Sequence, residues 1–334
     1  MNTAACVPVV DTAVDLSRIY NEDCITGCQK HLADNSIDLI ITDPPYGING
    51  DRLHRHYNRR EEFVLDGYIE VSQAEYDEFS RQWIAQAERI LRPGGSIYII
   101  SGYTNLPAIL NALRQTSLQE MNHIIWKYNF GVYTRRKFVS SHYHILYYVK
   151  PGAEHTFHTH CRYGEMEKDE KEGSLNYQDR EDVWIINREY KPGKIKNKNE
   201  LPTQLLVKIL QYSSNEGDTV CDLFLGSFAT LKIALAMNRQ VCGFEKSRIA
   251  FRHQMRELKK VAPGSLLPEL RVPESSPIEN QNRPWTAEAL KQLQKKYDAL
   301  LAEHQYKKTV ISLLMEEFGR GYFSITNALK KVDR

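Results

Sequence analysis

Asp43-Pro44-Pro45-Tyr46 follows directly on the apolar run Ile37-Asp38-Leu39-Ile40-Ile41-Thr42, a segment of buried-strand type. In open α/β sheets ligands bind just beyond the carboxyl ends of strands, so chemistry is expected at this tetrapeptide. Two consecutive prolines fix φ and remove two backbone donors. The stiff loop that results presents acceptors, the Asp43 carboxylate and the Pro44 carbonyl, beside the aromatic face of Tyr46. Those parts suit a planar ring carrying an amino group: the acceptors take the NH2 hydrogens and the aromatic stacks on the ring. A rigid turn with an exposed aspartate is the plain alternative.

A second group of residues lies far along the chain. Asp222-Leu223-Phe224-Leu225-Gly226-Ser227-Phe228 ends the strand-like run Thr219 to Leu223 and opens a helix. Small residues there let a ligand approach the backbone at a helix N-terminus. Glu245 closes the next strand, and an acidic residue about 20 positions past a glycine turn commonly binds ribose hydroxyls. By themselves these residues fit a weak dinucleotide site equally well. The full GxGxxG pattern is missing, however, and a nicotinamide enzyme has no evident use for Asp-Pro-Pro-Tyr.

The elements that must position these residues alternate in type. Residues 73 to 91 carry Tyr76, Phe79, Trp83, Ile84, Ala87 and Leu91 at a helical period, and Arg92-Pro93-Gly94-Gly95 is expected to stop that helix with a turn. Strands are expected at Ser96 to Ser101, Ile124 to Trp126, His144 to Val149 and Gln240 to Phe244. Helices are expected at Leu106 to Leu113, Thr203 to Tyr212 and Phe228 to Met237. Such alternation marks a mostly parallel sheet covered by helices on both faces, an α/β fold. The stretch from about Lys150 to Leu201 is polar and irregular and reads as an insertion between two halves of one sheet. Residues 263 to 284 hold five of the 13 prolines and read as a linker. The domains expected are therefore 17–150, 151–200 (inserted), 201–262, the linker 263–284 and a helical module at 285–334.

Composition narrows the classes. The 334 residues are 42% hydrophobic and 26% charged with a net charge of +2, a globular composition in which any basic surface must be local. No apolar run approaches the roughly 20 residues that span a bilayer, so no membrane partner is expected. Residues 1 to 20 lack the basic start and apolar core of a signal peptide. The six cysteines are without a CxxC pair and read as reduced thiols of a cytoplasmic protein. His155, His158, His160 and Cys161 have no standard zinc spacing, and no metal is expected.

Taken together, the two motifs resemble those of the S-adenosylmethionine-dependent amino-methyltransferases that modify exocyclic amines of DNA bases. Their order, with Asp-Pro-Pro-Tyr first and the glycine motif about 180 residues later, is similar to the β arrangement of that family, whose target recognition region lies between the halves. Tyr20-Asn21-Glu22-Asp23-Cys24 resembles the segment whose Asp contacts the cofactor's adenine. Leu91 to Gly95 matches the turn after the helix behind the catalytic loop. Leu201-Pro202-Thr203-Gln204 resembles an element closing over the methionine end, and Ser213 to Asp218 the lead-in to the glycine motif. The departures are Leu223 for a usual Pro, Leu201 and Leu205-Leu206 for a usual His and Lys-Pro, and Phe228 for a common Gly. The resemblance implies a Rossmann-like methyltransferase fold and S-adenosylmethionine as cofactor. It assigns catalysis to Asp43, Pro44, Pro45 and Tyr46. It assigns cofactor binding to Asp23, Cys24, Pro202, Thr203, Gln204, Asp222, Phe224, Gly226, Ser227, Phe228 and Glu245.

The substrate implied is adenine N6 in double-stranded DNA, flipped out of the duplex to reach the site. Cytosine N4 is the alternative; Asp at the first motif position favours adenine, since cytosine enzymes of the family more often carry Ser there. Phosphate contacts are expected from Arg52, Arg55, Arg59 and Arg60, from Arg135 and Arg136, and from Lys191, Lys194, Lys196 and Lys198, with Phe138 as a second stacking face. Trp285 to Arg334 holds nine basic and six acidic residues and resembles a Myb-like helix-turn-helix, with Arg320 in its turn as a further DNA contact; a helical clamp or dimer contact is the alternative. A homodimer and a cognate restriction endonuclease are the other partners considered. RNA methylation and a catalytically idle DNA-binding regulator are the readings from other classes.

Overall fold

The structure is a computed structural model that describes residues 15–45, 71–129, 131, 133, 135–189, 200–273, 284–304 and 306–332. In chain order the elements are β1 (Ile19–Tyr20), α1 (Cys24–His31), β2 (Ile37–Thr42), α2 (Tyr76–Ile90), β3 (Leu91–Ser101), α3 (Leu106–Leu113), β4 (Gln119–Lys127), β5 (His142–Val149), α4 (Leu175–Asp179), β6 (Val183–Ile185), α5 (Thr203–Ser213), β7 (Thr219–Asp222), α6 (Ala229–Ala236), β8 (Gln240–Phe244), α7 (Arg248–Leu258), α8 (Ala287–Glu303), α9 (Lys307–Phe318) and α10 (Tyr322–Val332). Contacts divide them into two compact units, Met1–Thr159 with Glu181–Leu270, and His160–Arg180 with Arg271–Arg334.

The first unit is built on one eight-stranded sheet in the order β1-β8-β7-β2-β3-β5-β4-β6. Among the described residues it is mostly parallel; only the pairs β3–β5 and β5–β4 are antiparallel there. Strand β2 is central, with Ile37, Leu39, Ile40 and Ile41 all fully buried. It reads as a continuous apolar run because both of its faces are covered. Helices α1, α2 and α3 bury Cys24, Cys28, Trp83, Ile84 and Ile109 on one face. On the other face α5, α6 and α7 bury Leu205, Leu206, Ile209, Leu231 and Leu258.

Two sequence expectations differ from the fold in detail. Arg92-Pro93-Gly94-Gly95 ends helix α2, but the chain is already in β3 rather than in a free turn. Gly94 has φ +74°, and a Cβ there would lie 2.4 Å from the Glu154 carbonyl oxygen, so glycine alone lets the strand bend at that point. The irregular stretch after Val149 is also not uniform. Its last part returns to the sheet edge as β6, where Trp184 pairs with Trp126 and the Trp126 indole donates to the Ile186 carbonyl at 2.8 Å.

The first of the chain's proline-rich residues belong to the first unit, since Val261, Leu266, Leu267 and Leu270 pack on its core. In the second unit α8, α9 and α10 enclose Leu293, Val310, Leu314, Ile325 and Leu329. The segment His160–Arg180 belongs to this unit too: Arg271 stacks on Tyr163 at 3.9 Å, donates to the Arg162 carbonyl at 2.7 Å and pairs with Glu167. Among the described residues no helix is long and apolar enough to cross a membrane.

Candidate active site

Strands β1, β8, β7 and β2 are consecutive neighbours and run parallel. Their carboxyl ends therefore form a row that carries Asn21 to Asp23, Glu245, Asp222 to Phe228, and Asp43 to Pro45. Three inter-strand gaps make the row about 14 Å long, enough for an extended ligand with its two ends at different loops. Helix α5 leads into β7 through residues 214–218 and so runs against it, which puts Pro202 and Thr203, at the helix N-terminus, on the same edge of the sheet.

The two motifs are joined directly. The Thr42 hydroxyl, fully buried at the end of β2, donates to Asp222 Oδ1 at 2.9 Å. The same oxygen accepts the Phe224 N–H at 3.0 Å, and the Thr230 hydroxyl also bonds the carboxylate. Burial pushes the Asp222 carboxyl up to about 6 against these three donors, which favour its charged form. On the far side of the Asp43-Pro44-Pro45 loop, the Tyr76 hydroxyl donates to the Pro45 carbonyl at 2.8 Å. Asp43 is half-buried between these two anchors and Pro44 is buried.

Glu245 is set for a different task. Its Oε2 accepts the Gly226 N–H at 2.9 Å and its Oε1 the Ser247 N–H at 2.6 Å. Burial raises its pKa and those two bonds oppose the rise. Each carboxylate oxygen keeps acceptor capacity beyond its backbone donor, as a ribose diol requires. Gly226 reaches the carboxylate from a left-handed backbone, φ +48°, that favours glycine. Asn21 ties the β1 end to this loop by donating to the Glu245 carbonyl at 2.7 Å. Beside it, Asp23 caps α1 through the Ile25 N–H at 2.9 Å and faces Lys246 at 3.6 Å.

The other expected cofactor residues divide by burial. Cys24 is only 4% exposed and packs with Cys28 in the core. Phe228 is fully buried edge-on to Phe251 and adopts φ +59°, an uncommon state for a bulky residue. Phe224 packs on α2, 5.7 Å from Phe79 and 5.5 Å from Trp83. The Ser227 carbonyl accepts from Lys232 at 2.8 Å. The Thr203 N–H donates to Glu189 at 2.6 Å, and Gln204 is exposed.

Of the expected DNA contacts, Arg135, Arg136 and Phe138 are exposed on the segment between β4 and β5, Phe138 at 98%. Arg320 differs from expectation. It is only 8% exposed, lies over the Trp285 ring at 4.2 Å and donates to the Pro284 carbonyl, so its charge is held inside the second unit rather than offered to phosphate. Tyr46, Arg52, Arg55, Arg59, Arg60, Lys191, Lys194, Lys196 and Lys198 lie outside the described residues. Among the described residues no group of His, Cys, Asp and Glu is placed to hold a metal ion.

Four structural participants carried no sequence signal of their own. Thr42 and Tyr76 read as ordinary strand and helix residues, and Asn21 as part of a loop. Arg188 lies 4.7 Å from the Tyr128 ring and 5.1 Å from that of Tyr143, rings that come together only when β4 and β5 pair. At the same end of the sheet His123 and His144 share a hydrogen bond of 2.8 Å. Burial, then the neighbouring His123 and His142, lowers the His144 pKa to about 4.

The family model described as DNA methylase matches residues 37–255, more than half of the chain. The type II methyltransferases M.BamHI of Bacillus amyloliquefaciens and M.HpaI of Haemophilus parainfluenzae are each 30% identical over 247 and 221 residues, 69% and 65% of this chain. The chain spans 55% and 66% of the length of these two relatives. A solved structure from Thermus thermophilus, assigned as a DNA modification methylase and complexed with S-adenosyl-L-methionine, aligns with a TM-score of 0.53 at 20% identity, over 74% of this chain and 95% of that one. PvuII DNA methyltransferase, named as cytosine-N4-specific, also aligns with a TM-score of 0.53, at 14% identity over 77% and 94% of the two chains. At these identities the solved structures establish the fold, which is the Rossmann-like methyltransferase fold.

Proposed function

Because the chain belongs to the DNA methylase family of N6 and N4 amino-methyltransferases, we propose that it transfers a methyl group from S-adenosylmethionine to the exocyclic N6 amine of adenine in double-stranded DNA. The observation that supports this reading is the Thr42–Asp222 hydrogen bond, which ties the end of β2, where Asp43-Pro44-Pro45 begins, to the loop that carries Gly226. The site's donors and acceptors suit that cofactor: Glu245 for ribose hydroxyls, Asp23 beside it for the adenine end, and the α5 N-terminus with Pro202, Thr203 and Gln204 for the methionine end. When bound, the cofactor supplies an electrophilic methyl group on a sulfonium.

The protein's share is positioning and electrostatics. An aromatic amine is a poor nucleophile because its lone pair is delocalised into the ring. Acceptance of its two hydrogens by the Asp43 carboxylate and the Pro44 carbonyl favours a pyramidal nitrogen with the lone pair free. The proton then leaves after transfer, so Asp43 needs no strongly raised basicity. Arg135 and Arg136 supply phosphate contacts and Phe138 a stacking face.

We read the motif order as the β arrangement, and α9, the turn at Gly319 and α10 as a helix-turn-helix that binds DNA. Gly319 supports this, since its φ of +55° closes α9 in the manner of a helix stop. The reading extends to a type II modification enzyme of the cytoplasm, acting as a homodimer beside a restriction endonuclease of the same specificity. Nucleoside mass spectrometry on unmethylated plasmid incubated with protein and S-adenosylmethionine tests the proposal. N6-methyladenine supports it. N4-methylcytosine keeps the mechanism and overturns the base, and no methylated base from folded, cofactor-binding protein overturns the reaction.

A further inference from the structure

The catalytic loop has almost no soft torsions. Asp43 and Pro44 each precede a proline, which restricts both to extended backbone, and the rings lock φ of Pro44 and Pro45 near −65°. The main freedom left is ψ of Pro45, which sets where its carbonyl points and where the chain leaves the loop. The Tyr76 hydroxyl holds that carbonyl at 2.8 Å.

Tyr76 is itself well fixed. It is 3% exposed at the first turn of α2, and its ring lies 5.8 Å from Phe79, which in turn lies 5.7 Å from Phe224. A residue with so little exposure could pack as Phe; a buried hydroxyl is favoured where it has a partner. The loop offers carbonyls in excess, since its two prolines have no N–H to balance them. One of them must face the amine and another must not compete for it.

Resting on the amine-methylation reading above, we propose that Tyr76 is the positioning residue of the catalytic loop: by holding the Pro45 carbonyl it fixes the last free torsion and leaves the Pro44 carbonyl and Asp43 carboxylate aimed at the amine. It touches neither substrate nor cofactor in this role. Its effect is therefore on the rate of transfer and not on cofactor affinity.

Tyr76→Phe removes the hydroxyl and keeps the ring. The single-turnover rate of methyl transfer to plasmid DNA is expected to fall by about 10- to 100-fold, the order of loss that goes with misplacement on the ångström scale. The Kd for S-adenosylmethionine, from calorimetry on the same sample, stays within about twofold; that binding also shows that the variant is folded. Pro45→Ala frees the φ that the ring locks. Combined with Tyr76→Phe it should cost less than the product of the two single losses, because both variants release the same peptide. An unchanged rate in Tyr76→Phe, equal losses of rate and cofactor affinity, or independent multiplication of the two effects would each overturn the proposal. Absence of methyl transfer by the unaltered protein would instead remove the reaction on which the proposal rests.

Discussion

Asp222 is a carboxylate placed where its charge is costly, and its replacement by Asn has a calculable effect. Burial raises its pKa from 3.8 to about 6, close to two units, and each unit is worth about 1.4 kcal/mol. The folded protein therefore binds more protons than the unfolded chain between about pH 4 and pH 6. Stability contributed by this group is present at low pH, is lost as pH rises through that window, and stays lost above it. Asn is nearly isosteric. Its oxygen can take the Thr42 hydroxyl and the Phe224 N–H, and its NH2 can donate to the Thr230 hydroxyl. Asp222→Asn should then match the unaltered protein near pH 4 and exceed it at pH 7.5, by up to about 3 kcal/mol. Urea unfolding of both proteins across this pH range measures the difference directly, and taking the difference cancels the carboxylates that are common to both. A gap independent of pH, or one in which Asp gains on Asn as pH rises, would refute the argument.

Asp43→Ala should abolish methyl transfer while calorimetric binding of S-adenosylmethionine persists, if Asp43 accepts from the amine as proposed; equal loss of both would point to misfolding. Arg135→Ala should weaken DNA binding and lower the slope of log affinity against log salt by about one counterion. Arg320→Ala should leave that slope unchanged and lower thermal stability, because the guanidinium is engaged with Trp285 and Pro284.

Much of the fold is legible in the sequence because its strands are buried on both faces and its helices on one. Strand β2, helix α3 and strand β8 have the bounds expected from apolar runs and periodicity. The loops were legible for a related reason: Asp43-Pro44-Pro45 and Gly226 need residue types that few other positions require. The contacts that bind the loops together were not. Thr42 and Asp222 are 180 residues apart, and nothing local to either marks the other; the bond exists because β2 and β7 are sheet neighbours. Arg320 misleads for the opposite reason. A basic residue in a turn between helices has the local pattern of a phosphate contact, and only the packing of Trp285 shows that its charge is already engaged.

These long-range contacts close a ring around the site. Thr42, before the Asp43-Pro44-Pro45 loop, is bonded to Asp222; Pro45, at its far end, is bonded to Tyr76; and α2 carries Phe79 and Trp83 against Phe224, two residues after Asp222. The loop is thus held at both ends, and each anchor leads back to the loop that follows β7. Thr42→Val leaves the Pro45 carbonyl held by Tyr76, so alone it should slow transfer modestly, and less than Tyr76→Phe. With Tyr76→Phe added, both ends are released together, and the rate of the double variant should fall below the product of the single effects. Single-turnover rates of the four proteins, at saturating S-adenosylmethionine and DNA, measure this coupling. If the two effects simply multiply, the anchors act independently and the ring does not hold the loop as a unit.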